Sequence, residues 1–335
     1  MLPRSPQLAR ALAALVLLAA PALAAAGCGG GGTENASAGA SGSSSSSKAV
    51  TLRVGVQKDG VRSILQASGQ LEKLPYKVSF STFTYGPPLV EAAGADKIDV
   101  AGVGSTPPIF GAAAGRDFKV IASIQKRSRT DDALLLPKGS SIRSVQDLRG
   151  KRIAIANGSS ANGYILRYLL RNGLSPKDVQ LVNLAPADAL AAFSSGRVDA
   201  WAVWQPYVAQ ALNGGARVLA SGPPDEAGSS FEIASGKALD DAGRRATLQD
   251  FVGRLKTAYA WAAAHPDAWA SAWSKESQLP ESTTRPAVRA VTADVRPVDP
   301  SLIAAQQKLA DVLTAQKVIP GKVDFGSIVV PGLLK

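Results

Sequence analysis

The sequence predicts an α/β protein with two lobes and a ligand cleft between them. Three observations lead to this prediction: strands alternate with helices from residue 50 onward, one strand–helix–strand arrangement occurs twice, and a mainly helical segment follows the second copy. Alternating strands and helices are typical of parallel sheets covered by helices. The chain has 335 residues, 46% of them hydrophobic and 19% charged, which is enough for about two such units.

The hydrophobic pattern predicts the individual elements in chain order. Up to the middle of the chain they are strand 50–57, helix 61–68, strand 76–83, helix 87–95, strand 98–104 and a helix opened by Pro107. A proline in the first turn of a helix sacrifices no hydrogen bond, which favours these starts. The later predicted elements are strands 133–137 and 153–156, helix 164–171, strands 217–220 and 230–234, and helices 243–264, 266–274, 281–290 and 300–316.

An internal repeat links residues 79–104 with residues 180–204. Each copy has a strand, a helix started by proline, a glycine, a basic residue, and then Ile-Asp or Val-Asp opening a second strand. Two copies indicate two similar lobes, because a solenoid needs at least three repeats. We expect lobe 1 to comprise residues 49–132 and 231–335 and lobe 2 to comprise residues 133–230.

The first residues have the pattern of a secretory signal peptide. Arg4 and Arg10 precede a short apolar run that Pro21 interrupts, and small residues lead to Cys28; the run is short for a membrane-spanning helix. Small residues before a cysteine resemble the bacterial lipoprotein box, although Ala25 stands where leucine is usual. We therefore expect residues 1–27 to be a lipoprotein signal peptide, Cys28 to be lipidated, and the Gly/Ser-rich residues 28–48 to be a flexible linker to the membrane.

The composition excludes several kinds of chemistry. Met1 and Cys28 are the only sulfur-containing residues, so the folded part has no disulfide, thiolate metal site or thiol nucleophile. A catalytic triad would depend on the single histidine, His265, which we interpret as a helix-end residue. The phosphate-loop, G-x-G-x-x-G and G-x-S-x-G motifs do not occur. The sequence predicts a protein that is not an enzyme and holds no cofactor and no metal.

The net charge is +11, or +9 once Arg4 and Arg10 leave with the signal peptide. A basic surface suits nucleic acid, an anionic membrane or an anionic ligand. Export, and the lack of basic clusters interleaved with aromatics, disfavour nucleic acid, while a solvated surface beside anionic lipid explains the charge as well as a ligand does. A solvated face is the interpretation for Lys58, Lys126, Arg127 and Arg129, and Asp131-Asp132 and Asp240-Asp241 are interpreted as caps or surface charge.

Five loops are predicted to meet in one cleft, because ligands of open α/β sheets bind at the carboxyl ends of strands. They are residues 57–60, 83–86, 104–106, 157–162 and 204–205. Each loop precedes a helix, whose free N–H groups and dipole suit a small anion. Residues 158–162 also fit a plain helix cap, and Thr106 fits either a cap or a ligand donor. Trp201 is expected in the core and Trp204 at the cleft.

Several stretches resemble the periplasmic binding proteins of ABC importers, in particular the aliphatic sulfonate, taurine and nitrate family. They are residues 53–58, 98–110, 147–152, 157–162 and 198–207, and the resemblance extends over residues 50–335. Thr-Pro-Pro-Ile-Phe at 106–110 and Asp-Ala-Trp-x-x-Trp-x-Pro at 199–206 are typical of the sulfonate branch. Ser105 stands where an acidic residue is frequent, and Gln205 where aspartate is usual.

The resemblance implies a periplasmic-binding-protein type II fold that captures an alkanesulfonate and delivers it to an ABC permease and its ATPase by closing the cleft. A monomer without cofactors is expected. Positional matching gives as ligand-binding residues Gln57, Tyr85, Gly86, Ser105, Thr106, Gly158, Ser159, Ser160, Asn162 and Trp204.

Alternatives to an alkanesulfonate-binding protein remain open. The same fold could bind taurine, nitrate or another small anion, or the chain could be a secreted enzyme acting on such a solute. The scarcity of sulfur-containing residues weakly favours sulfonate over nitrate, because a protein made when sulfur is scarce should not consume it. A coding bias that lowers methionine everywhere is the competing explanation.

Overall fold

The computed structural model describes residues 50–222 and 229–334; the predicted signal peptide, Cys28 and the predicted linker lie outside this part. The strands are β1 (Thr51–Val56), β2 (Lys77–Thr82), β3 (Val100–Val103), β4 (Phe118–Lys126), β5 (Ala133–Leu136), β6 (Arg152–Ile155), β7 (Gln180–Asn183), β8 (Ala200–Val203), β9 (Arg217–Ser221), β10 (Ser230–Ser235) and β11 (Ala293–Arg296). The α-helices are α1 (Val61–Ala67), α2 (Gly86–Gly94), α3 (Pro107–Ala113), α4 (Ser160–Arg171), α5 (Pro186–Ser194), α6 (Tyr207–Asn213), α7 (Gly236–Asp240), α8 (Ala242–Ala264), α9 (Pro266–Ser277), α10 (Glu281–Val291) and α11 (Pro300–Ala315).

The strands form two sheets. The first has the order β11-β4-β10-β3-β1-β2 and the second the order β7-β6-β8-β5-β9. The repeat predicted from the sequence is confirmed, because β2-β1-β3 and β7-β6-β8 are the same parallel arrangement, with the first strand of each unit in the middle. The architecture is the predicted α/β fold with two lobes, each built around one sheet.

The sheets are mixed, whereas the alternation of strands and helices indicated parallel sheets. β10 runs antiparallel to β3 and β4, and β5 runs antiparallel to β8 and β9. Only a crossover within one sheet forces neighbouring strands to be parallel. β5 and β10 are instead reached by connections from the other sheet, since β4 and β9 precede them in the chain.

Four elements differ from the prediction. β4, α7 and β11 are absent from the predicted elements, and α4 begins at Ser160 rather than at residue 164. β11 has only four residues and pairs with β4 alone, so its short pattern carries little signal. The first turn of α4 is small and polar, and it is helical because the Ser159 side chain accepts a hydrogen bond from the Asn162 backbone N–H.

The aspartate of each repeat copy forms hydrogen bonds with an arginine in the middle strand of its unit. The backbone N–H of Arg53 donates to Oδ2 of Asp99 at 2.7 Å, and that of Arg152 donates to Oδ2 of Asp199 at 2.8 Å. The guanidinium Nη2 of each arginine contacts Oδ1 at 2.7 and 3.0 Å respectively. The two copies differ in burial, because the Asp99 side chain is fully buried whereas that of Asp199 is 31% exposed.

We predict that Asp99→Asn lowers the free energy of unfolding by about 2 kcal/mol, because the buried Asp99 also pairs with Arg244 at 3.0 Å and both guanidinium groups lose a charged acceptor. Asp199→Asn is the matched control in the second lobe, where the same pair is more exposed, and its expected loss is below about 1 kcal/mol. Urea denaturation of both variants measures the difference. Equal losses would contradict the importance of burial at Asp99.

Apolar side chains on both faces of each sheet form the cores. Trp201 is 1% exposed, as expected, and its ring centroid lies 5.7 Å from that of Phe193. α8 and α9 pack on the first sheet, where Trp269 and Trp273 are stacked and fully buried. Within residues 50–222 and 229–334, no helix is both long and apolar enough to cross a membrane.

Candidate functional site: a cavity between the two sheets

A cavity of about 70 Å³ lies between the two sheets, roughly five times the space that one buried water molecule needs. It opens where the parallel strands end and helices begin. Its wall includes Gln57 after β1, Gly86 at the start of α2, Gly104 after β3, Ser160 at the start of α4 and Trp204 after β8. Both lobes therefore contribute to one small binding space.

The structure places five of the ten predicted ligand-binding residues on the cavity wall. These are Gln57, Gly86, Ser159, Ser160 and Trp204. Gln57 is oriented by its Nε2, which donates to the carbonyl oxygen of Gly102 at 3.2 Å. Gly86 and Ser160 are the first residues of α2 and α4, so backbone N–H groups of both helices lie beside the cavity.

The other five predicted residues do not line the cavity. Tyr85 is the half-buried residue preceding α2, and Ser105 is buried. Gly158 and Asn162 bond to each other, since the Gly158 N–H donates to Oδ1 of Asn162 at 3.0 Å. Thr106 is fully buried, and its Oγ1 has no hydrogen-bond partner.

Glycines allow the two lobes to touch beside the cavity. A Cβ atom on Gly163 would lie 2.3 Å from Oγ1 of Thr106, and one on Gly104 would lie 2.7 Å from Cβ of Ser160. Real Cβ atoms do not make such contacts, so a larger side chain at either position requires the facing residue of the other lobe to shift. Thr106 and Gly104 follow β3 of the first sheet, whereas Gly163 and Ser160 belong to α4 of the second lobe.

Lys126 and Asp131 form a partly buried ion pair at the cavity, with side-chain exposures of 16% and 10%. Burial lowers the pKa of Lys126, but the carboxylates of Asp131 and Asp132 outweigh it and raise the pKa above its ordinary value. Asp132 accepts a hydrogen bond of 2.9 Å from Oγ of Ser160. The interpretation of Lys126 as a solvated residue and of Asp131-Asp132 as surface charge is therefore wrong, because the crossover from β4 to β5 turns these side chains inward.

Three further side chains at the cavity were missed by the sequence analysis: Asp59, Glu232 and Tyr259. Asp59 and Tyr259 line the cavity, and Glu232 lies on β10, beside the cavity residue Gly102 with which it pairs. Burial raises the pKa of Asp59 to about 6. Burial, with the charge of Asp59 nearby, raises the pKa of Glu232 to about 8. The available signal was a glutamate inside an otherwise apolar strand, Ser230–Ser235.

Gln205, which stands where aspartate is usual in the family, forms a hydrogen bond with the first turn of α6. Its Oε1 accepts a hydrogen bond of 3.2 Å from the Ala209 N–H, and its own N–H donates to Oδ1 of Asp131 at 3.4 Å. Gln205 therefore accepts from an N–H in the first turn of α6 and also contacts Asp131 in the crossover. No cluster of three or more side chains suited to hold a metal ion occurs in the described part of the chain.

Two sheets of this topology, a cleft at their strand ends and a small polar cavity define the class of periplasmic binding proteins. Residues 88–269 match the family described as NMT1/THI5 like. An aliphatic sulfonates-binding protein of Escherichia coli is 34% identical over 279 residues, which is 82% of this chain and 86% of that protein. The corresponding protein of Bacillus subtilis is 31% identical over 286 residues, 83% of this chain and 85% of that one.

Among solved structures, the alkanesulfonate-binding protein SsuA from Xanthomonas axonopodis pv. citri bound to MOPS has a TM-score of 0.79 and 33% identity. The match covers 84% of this chain and 99% of that one. The chain belongs to the NMT1/THI5-like family and, within it, to the ABC-transporter periplasmic binding proteins of the aliphatic sulfonate, taurine and nitrate group. These relatives are binding proteins, so the chain is a binding protein and not an enzyme.

Proposed function

We propose that this protein captures aliphatic sulfonates outside the cytoplasmic membrane and delivers them to an ABC permease and its ATPase. The observation that carries the proposal is the cavity, because both lobes line it with N–H groups at the starts of α2 and α4, and the second lobe adds the hydroxyl of Ser159. Such groups stabilise a small anion with fixed donors. Trp204 supplies an apolar wall for the rest of the solute. The names of the relatives support sulfonate as the anion.

Calorimetric titration with a solute series tests this function. The series contains ethanesulfonate, propane-1-sulfonate, taurine, nitrate and bicarbonate, in buffers free of sulfonate groups. We expect saturable binding of at least one sulfonate and none of nitrate. Binding of nitrate alone would replace the sulfonate assignment with the nitrate alternative, and turnover of a bound solute would favour an enzyme.

The two lobes are proposed to close around the solute by rotating about the crossovers near Ala133 and Phe231. A ligand that contacts both lobes favours the closed state, because only that state makes both sets of contacts. In this motion lobe 1 comprises residues 49–132 and 231–335, and lobe 2 comprises residues 133–230. The strands of the first sheet come from lobe 1 and those of the second sheet from residues 133–221.

Gly163→Ala is predicted to weaken sulfonate binding about 10- to 100-fold, because the new Cβ overlaps Oγ1 of Thr106 and opposes closure. Calorimetry measures the loss. Gly253→Ala is the matched control: it also replaces a glycine inside a helix, but nothing lies within 4 Å of its Cβ position, so affinity should stay unchanged.

The double variant Gly163→Ala, Thr106→Ala tests the cause of that loss. It removes the overlapping atom, and since Oγ1 of Thr106 has no partner, no hydrogen bond is lost. We expect most of the affinity to return. Full affinity in Gly163→Ala alone, or no recovery in the double variant, would contradict closure at this contact.

The protein is further proposed to be a monomeric lipoprotein, anchored through Cys28 to the outer side of the cell membrane. The support is the sequence pattern before Cys28 and the Gly/Ser-rich segment after it. Membrane fractionation of Cys28→Ala cells tests the anchor, and release of the variant into the soluble extracytoplasmic fraction is expected.

A further inference from the structure

We propose that the contact between α6 and α10 is a latch of the closed state and that Asn213 is its positioning residue, which slows the release of every solute alike. The latch lies outside the cavity and touches no ligand. This inference rests on the proposed function, since it names a contact that holds the two lobes together after they have closed around the solute.

The two helices belong to different lobes and lie side by side. α6 of lobe 2 begins just after the cavity residue Gln205, and α10 of lobe 1 ends at the cavity residue Val291. At the other end of the contact, Nδ2 of Asn213 donates to Oγ1 of Thr283 at 2.9 Å and to Oγ of Ser282 at 3.3 Å. The helices are therefore antiparallel, and their contact extends from the cavity wall to these two hydrogen bonds.

The hydrogen-bonded end of the contact lies well away from the cavity. β9 runs in the same direction as β8, because both are antiparallel to β5, so α6 returns the chain from the cleft edge of the second sheet to its opposite edge. On α10, Thr283 precedes Val291 by eight residues, which is about 12 Å along a helix. The first turn of α10 thus extends from lobe 1 along the side of lobe 2.

Small side chains allow the two helices to pack closely. Ala209 lies one turn before Asn213 on α6, and Ala287 lies one turn after Thr283 on α10, so helical spacing places these alanines on the facing sides. Their exposed fractions are 2% and 0%. Thr283 is buried as well, whereas Asn213 is exposed. The contact is therefore tightly packed along the helices and accessible to water only at its far end.

Opening of the lobes should break the hydrogen-bonded end. The other end of α10 is fixed at a crossover, because the Arg127 N–H donates to the carbonyl oxygen of Thr292 at 2.9 Å. A rotation of about 15° about this point moves the start of α10, about 12 Å away, by about 3 Å relative to lobe 2. That displacement exceeds the range of a hydrogen bond. Water replaces the lost bonds at the exposed Asn213, so the latch favours the closed state without preventing opening.

Asn213→Ala tests the residue. We expect solute dissociation to become about 5-fold faster, by the same factor for ethanesulfonate and propane-1-sulfonate, because the residue does not contact the solute. The association rate and the melting temperature of the ligand-free protein should stay unchanged, since the latch forms only after the solute has entered. Stopped-flow measurements of tryptophan fluorescence, to which Trp204 on the cavity wall contributes, give both rates.

Asn172→Ala is the matched control, because Nδ2 of Asn172 donates to the Tyr168 carbonyl oxygen at 2.8 Å, within lobe 2. Its rates should equal those of the parent. Thr283→Val removes the accepting hydroxyl but keeps the shape of the side chain, and adding it to Asn213→Ala should speed dissociation by less than about a further 2-fold. Unchanged dissociation in Asn213→Ala, or effects that differ between the two sulfonates, would overturn the inference.

Crosslinking tests directly whether the contact opens. Cys28 is the only cysteine, so Asn213→Cys and Thr283→Cys in the Cys28→Ala chain provide a single pair of thiols, which a short, reducible bifunctional reagent bridges. Crosslinking before the solute is added should slow its entry at least about 10-fold, and crosslinking after loading should slow its release at least about 10-fold. Reduction should restore both rates, and the two single-cysteine variants treated in the same way should behave like the parent.

Unchanged entry and release in the crosslinked protein would overturn the inference, because α6 and α10 would then stay together in both states. Small-angle X-ray scattering of the ligand-free protein supplies a readout that needs no solute. The crosslinked form should be more compact than the reduced form, and equal scattering would overturn the latch. Failure of the parent to bind any sulfonate would overturn the proposed function instead, and the scattering comparison would still decide the latch.

Discussion

Lys126→Met is expected to lower the free energy of unfolding by about 3–5 kcal/mol at pH 7, because it leaves the largely buried Asp131 without its cation. Methionine keeps the length and apolar stem of the side chain, so the loss reports mainly the charge. Asp132, whose pKa burial and Asp131 raise to about 6, would lose a neighbouring positive charge as well. Urea denaturation at pH 7 measures the effect.

Two further variants isolate the ion pair. Lys126→Met combined with Asp131→Asn removes both charges, and we expect it to recover more than half of the lost stability, since the cost of a broken pair is mostly the uncompensated partner. Lys308→Met on the exposed side of α11 is the surface control and should change stability by less than about 0.5 kcal/mol. Equal effects of Lys126→Met and Lys308→Met would show that the cavity pair is not coupled to folding.

Glu232→Gln is expected to remove about 3 kcal/mol of the fall in stability that the protein shows between pH 5 and pH 9. Burial raises the pKa of Glu232 to about 8 from an ordinary value of 4.5. The folded protein therefore holds this proton more tightly than the unfolded chain does. The resulting stability is complete below the ordinary pKa and is lost as the pH rises through about 8. Glutamine stays uncharged, so the variant should be more stable than the parent at pH 9 and similar to it at pH 5.

Denaturation at pH 5, 7 and 9 provides the test, with the exposed Glu72→Gln as the control that should follow the parent at every pH. In Glu232→Gln the free energy of unfolding should still decline, by a smaller amount, between about pH 4 and pH 7. Asp59 and Asp132 cause this decline, because burial raises their pKa values to about 6. A parent whose stability does not decline toward pH 9 would contradict the buried, protonated state of Glu232.

Much of the fold follows from short-range patterns. The starts of α2, α3 and α5 are marked by prolines within their first turns, and the alternating strands around them produce the two repeat units that the structure shows. Elements with weak local signals were missed: β11 is a four-residue strand held only by β4, and the first turn of α4 depends on the Ser159 cap. Such features are stabilised by partners rather than by their own residues.

Some residues of the candidate site also follow from short-range patterns, whereas others depend on distant parts of the chain. Ser159, Ser160 and Trp204 lie at strand ends, and the general rule for α/β sheets is enough to place them at the cleft. Thr106 satisfied the same rule but is buried against Gly163, because the approach of the lobes covers it. A position in the sequence does not reveal which side of a loop the opposite lobe will occupy.

The sequence by itself determined the class of fold, the repeated unit and the meeting of several helix starts at one edge, because these depend on hydrophobic period and on turn residues close together in the chain. Only the tertiary structure decided the charges of the cavity. Asp59, Lys126, Glu232 and Tyr259 come from α1's preceding loop, β4, β10 and α8, and the antiparallel entry of β10 brings its glutamate beside the cavity. The pKa values follow from that assembly, since burial and neighbouring charges exist only once distant segments have packed together.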